Sequence, residues 1–131
     1  MTRLVIPFGL AAVACAALIL ALPSAPRAQQ TASGADRGRY LVVDAGQCAD
    51  CHGKALEGAP LDFLNPALPP IVQRQSPKIA GLPMFSSDAD ATHFLESGEL
   101  PDKSHARPPM PQYRFSHDDA VAIVAYLRTL H

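Results

Sequence analysis

The chain has 131 residues, 48% of them hydrophobic, with 11 basic and 12 acidic side chains and a formal net charge of −1. That length corresponds to one domain, and the charge balance excludes the basic footprint of a nucleic-acid partner.

The N-terminal stretch carries one charge, Arg3, followed by an uncharged apolar run from Leu4 to Leu22. A Pro-Ser-Ala-Pro segment, Arg27-Ala28 and a polar patch, Gln29 to Gly34, come next. The layout predicts either a secretory signal cleaved near Ala28 or a retained membrane tether through residues 4–22. Cys15 reads as a signal-core residue, because Ala16 to Leu22 stay apolar beyond it. Both alternatives put the rest of the chain outside the cytoplasm, in the periplasm, free or anchored to the inner membrane. The expected organisation is 1–28 signal or anchor, 29–35 polar linker, and 36–131 folded domain. Without Arg3 and Arg27 the remainder is acidic. A domain this short buries only about 65% of its surface. It keeps two cysteines, three apart, so no disulfide framework supports it. A large apolar cofactor would supply the missing core.

Ser33 to Gln47 is predicted as a first helix, capped by Ser33 or Asp36, with Leu41, Val42, Ala45 and Cys48 on its apolar side. From Gly53 to Pro83, six prolines exclude a long helix or a central strand. Such a loop makes sense where it wraps a bound group. Ser86-Ser87-Asp88 opens a second helix that stops at Gly98. Pro101 to Pro111 is a second Pro-rich loop. The last helix is capped by Ser116, has Asp118 and Asp119 at its start, and carries Ala120, Ile123, Val124, Leu127 and Leu130 on its apolar face. No alternating strand pattern occurs, so the fold class is all-α with long loops.

Cys48-Ala49-Asp50-Cys51-His52 is the strongest chemical signal. Two thiols one turn apart can add across the two vinyl groups on one porphyrin edge, and the adjacent histidine then offers a ring nitrogen to the iron. A thioredoxin-like pair would need a βαβ setting, and a zinc site a second Cys or His pair; both are missing. The pattern therefore implies one haem c, covalent through Cys48 and Cys51, with His52 on the iron.

The chain resembles class I c-type cytochromes, the single-haem bacterial kind that serves periplasmic dehydrogenases. Arg37-Gly38-Arg39-Tyr40-Leu41-Val42 with Cys48 to Gly53 is similar to the family's first helix and attachment site. Met110-Pro111, Tyr113, Asp118-Asp119-Ala120 and Ala125 to Leu130 are similar to its sixth-ligand loop and closing helix. The middle, about 59–79, matches poorly. The resemblance implies the cytochrome c fold, short helices and Pro-rich loops around one haem, with first and last helices crossing at Gly38 or Ala45 against Tyr126 and Leu127.

Met84, Met110, His93, His105, His117 and His131 are the candidate sixth ligands. Met110, held between prolines where the family's ligand loop lies, is favoured, with Met84 second. Tyr113 and Arg114 are candidate haem-binding residues at a propionate, with Arg74, Lys78 and Arg107 behind them. A loop carbonyl, from Pro60, Pro69 or Pro70, is expected to accept the His52 ring N–H. Phe63, Phe85, Phe94 and Leu95 are expected to wall the ring. His/Met ligation fills both axial sites and raises the potential. The expected function is one-electron transfer from a dehydrogenase donor to a cytochrome or oxidase acceptor of the respiratory chain. No acid–base pair or nucleophile constellation points to an enzyme. A fixed haem subunit of a membrane-associated dehydrogenase complex is the alternative. A ligand-binding or peroxidatic haem protein would require Met110 to leave the iron open.

Overall fold

The structure, a computed structural model, describes residues 27–131, with side chains from residue 34. The apolar run 4–22, Cys15 and nearly all of the expected signal lie outside the described residues. Among the described residues, four helices occur in chain order, α1 Arg27–Tyr40, α2 Ala49–His52, α3 Asp88–Ser97 and α4 His117–Arg128, and a π-helical turn, Leu41–Ala45, extends α1. Pairing between extended segments is limited, among the described residues, to isolated bridges at Pro60–Gln75 and Glu99–His105. The fold is all-α, as the pattern of caps and prolines predicts. None of the described helices is long and apolar enough to cross a membrane.

The first helix differs from its predicted span. It is already helical at Arg27, where the described residues start, and through the stretch 29–35, so neither Ser33 nor Asp36 caps it. Its far end changes pitch. The Gly46 N–H donates to the Leu41 carbonyl five residues back at 2.8 Å, and the Cys48 N–H reaches the Val42 carbonyl at 3.0 Å. Gln47 then takes a left-handed φ of 47°. Leu41 and Val42 are buried while Ala45 is exposed, which a regular 3.6-residue period does not give.

The other helices follow their caps. The Ser87 side chain accepts from the Asp90 N–H, and α3 stops where Gly98 adopts φ 74°. The Ser116 side chain accepts from the Asp119 N–H, and Asp118 and Asp119 sit in the favourable first turn of α4.

Helices α1 and α4 cross at Gly38, not at Ala45. A Cβ added to Gly38 would overlap the Ala122 carbonyl and lie 2.8 Å from the Tyr126 Cβ. Hydrogen alone lets the backbones approach this closely. Outside the crossing, Arg37 Nε donates to Asp119 Oδ1 at 3.0 Å. That bond holds the Asp119 carboxyl below its ordinary value and raises the Arg37 guanidinium. At the other end of α4, Arg128 donates to Asp88 Oδ1 (2.8 Å) and to the Gly81 carbonyl (2.7 Å), so one side chain ties three segments together.

The core comprises Leu41 and Val42 from the π turn, Leu56, Ala80, Leu82 and Phe85 from the loop, Ala91 from α3, and Ile123, Val124 and Leu127 from α4. Most of them face a cavity.

Candidate functional site

The cavity has a volume of about 550 Å³, and its wall includes Cys48, Cys51 and His52. Size and lining are those of a site for a large, mainly apolar group. A second hollow of about 350 Å³, between Leu61, Leu64, Pro66 and Arg74, holds none of this chemistry.

The π turn delivers the chain to the attachment segment. One tight turn comes next, with the His52 N–H on the Cys48 carbonyl at 2.9 Å. Positions three apart on such a turn share a face, so both cysteines line the cavity. Both are unpaired and half-buried. Burial pushes the free Cys48 thiol above its ordinary value.

His52 is buried at 6% exposure. Its Nδ1 lies 2.8 Å from the Pro77 carbonyl. A carbonyl can only accept, so Nδ1 carries the proton and Nε2 keeps a lone pair. His52 lines the cavity, and with Nδ1 committed to Pro77 its Nε2 is the ring nitrogen left for a metal. The carbonyl is that of Pro77, and not of Pro60, Pro69 or Pro70. Ser76 beside it is buried, donates to the Cys51 carbonyl (2.5 Å) and accepts from the Ala59 N–H (3.0 Å). The loop is thereby fastened to Cys51 and His52 at the end of the attachment turn and to Ala59 beyond it.

Among the sixth-ligand candidates, Met110, Met84 and His105 line the cavity, whereas His93, His117 and His131 do not. Met110 is half-buried and Met84 is 48% exposed. His93 and His117 face Glu99 and Glu96 on the surface. His105 sits at the cavity edge with Nδ1 3.0 Å from the Gly98 carbonyl.

Tyr113 lines the cavity, stacks on Phe115 with ring centres 5.0 Å apart, and places its hydroxyl 3.5 Å from the Gly46 carbonyl. Burial is the first cause raising its phenol, and the neighbouring Cys48 and Cys51 add to it. Arg114 lies outside the lining and donates to the Tyr113 carbonyl and Gln112 Oε1. Arg107 lines the cavity; Arg74 and Lys78 do not, and Arg74 donates to the carbonyls of Asn65, Pro66 and Leu68. Phe85, Phe94 and Leu95 wall the cavity. Phe63 is 66% exposed and stands away from it.

The donors present therefore suit a haem: two thiols on one turn, an oriented imidazole, a thioether, and apolar walls. No curated protein and no solved structure matches the chain. The family model for cytochrome c matches residues 35–131. The chain belongs to the cytochrome c family, binding haem c covalently through Cys48 and Cys51 and serving electron transfer rather than catalysis.

Proposed function

We propose that this cytochrome is an exported one-electron carrier with His52 and Met110 as axial ligands, taking electrons from a dehydrogenase and passing them toward the respiratory chain. The observation that carries this reading is the cavity itself. It is lined by both cysteines, by a histidine whose Nδ1 is committed to the Pro77 carbonyl, and by Met110. The haem supplies a single reversible electron. The protein's residues hold it, orient the His52 ring and exclude water from its faces. With both axial positions filled, exogenous ligands are kept out and the thioether favours the ferrous state.

The test is the visible spectrum of the holoprotein, oxidised and reduced, with and without carbon monoxide. Sharp low-spin bands indifferent to carbon monoxide are expected, and Met110→Ala should convert them to a carbon monoxide-sensitive spectrum. An unchanged spectrum in Met110→Ala would remove Met110 from the iron. Native binding of carbon monoxide would favour an open-site sensor or peroxidase.

A fixed subunit of a dehydrogenase complex is the second reading. The exposed side chains of Phe63, Leu68 and Ile71 favour it, since apolar groups collected on one loop suit a lasting interface. Stable co-purification with a catalytic subunit would establish it, and isolation as a free monomer would exclude it.

A further inference from the structure

The segment carrying Met110 is poorly equipped to hold itself in place. Pro108, Pro109 and Pro111 have no N–H to donate. Among the described residues, the stretch 106–111 bonds to the rest of the molecule at two neighbouring points. The Gln73 N–H donates to the Pro108 carbonyl at 2.6 Å. Arg107 donates from Nε to the Ile71 carbonyl at 3.0 Å and from Nη to the Pro70 carbonyl. The Met110 N–H closes a turn on the Arg107 carbonyl at 3.2 Å. Whatever fixes Arg107 therefore fixes the backbone of Met110.

We propose that Arg107 is a positioning residue for the sixth ligand, clasping the Met110 strap to the loop at Pro70 and Ile71 and so setting how firmly the thioether holds the iron. The proposal rests on the Met110 reading. A planar, always-charged fork is the side chain suited to two adjacent carbonyls, and lysine's compact ammonium lacks that fixed geometry. Arg74 provides an internal comparison. It also donates to three carbonyls of the same loop, but none of its bonds reaches the Met110 strap.

The test titrates imidazole into ferric holoprotein, where it competes with Met110 for the sixth position. Arg107→Gln is expected to bind imidazole about tenfold more tightly than the parent, the loss of charge-assisted bonds appearing in the competing equilibrium. Arg107→Lys should recover part of the difference, and Arg74→Gln should bind as the parent does. In a Met110→Ala background, Arg107→Gln should add nothing. Parent-like affinity in Arg107→Gln, or an equal rise in Arg74→Gln, overturns the proposal, because either makes the clasp a general loop contact. If Arg107→Gln does not yield folded holoprotein, Arg107→Lys decides by the same criterion. If Met110→Ala alone changes neither the ferric spectrum nor the affinity, the ligand reading fails and this proposal with it; a change there with none in Arg107→Gln defeats the clasp alone.

Discussion

Ser76 shows how much one small side chain can secure. Its hydroxyl joins the Cys51 carbonyl to the Ala59 N–H in a buried position. Ser76→Ala would leave both backbone groups short of a partner, at a cost of about 1–3 kcal/mol. Denaturant unfolding of the holoprotein should register that loss while the low-spin spectrum persists, because the iron's own neighbours are untouched. The attachment motif was legible because its spacing is local: two thiols and an imidazole within five positions. Pro77 and Ser76 were not. The His52–Pro77 bond spans 25 residues, and any of several prolines could have offered a carbonyl. Only the path of the loop selects one. Phe63 was misplaced for a related reason, since an aromatic in a Pro-rich loop reads alike whether it faces the ring or water.

At the scale of the element, caps were readable and pitch was not. Ser87, Gly98 and Ser116 act within a few residues of themselves, so sequence suffices to place α3 and α4. The π turn obeys no residue rule, because the extra residue in its hydrogen-bonded ring is imposed by the packing on either side of it. Leu41 and Val42 must enter the core while Cys48 faces the cavity. The crossing of α1 and α4 was narrowed to Gly38 or Ala45, and close backbone approach decides for Gly38. Gly38→Ala should therefore destabilise the holoprotein by about 3 kcal/mol, since the obstacle is the Ala122 carbonyl and not a movable side-chain end. A lowered midpoint in thermal or denaturant unfolding, with an unshifted visible spectrum, is the expected outcome. Ala45→Gly, on the exposed side of the turn, should cost about 1 kcal/mol at most.

Over the whole molecule, the haem site and the hydrophobic core are one object. Leu41, Val42, Leu82, Phe85, Ile123 and Leu127 belong to the core and also wall the cavity. Each of them both packs in the core and faces the bound group. A Cys48→Ser/Cys51→Ser double variant, unable to form thioethers, should emerge haem-free, lose cooperative unfolding and near-ultraviolet circular dichroism, and bind a hydrophobic dye while keeping part of its helix signal. A sharp unfolding transition in that haem-free protein would show that the helices make a sufficient core by themselves. The same economy explains why the sequence could announce a cofactor before any fold was known: a short chain without a disulfide framework has too little interior of its own. The π turn also governs where such a chain can vary in length. Residues 61–74 form a closed excursion, pinned at the neck by the Leu61 N–H on the Arg74 carbonyl, and lengthening an excursion of this kind adds only a slow, logarithmic entropy cost. Between Leu41 and Gly46, by contrast, each residue is a phase angle. Removing one would rotate everything downstream by about 100° about the helix axis and carry both thiols off the cavity wall. Divergence within this lineage is therefore free to lengthen the loop outside its contacts at 70–73 and bound to keep count in the turn.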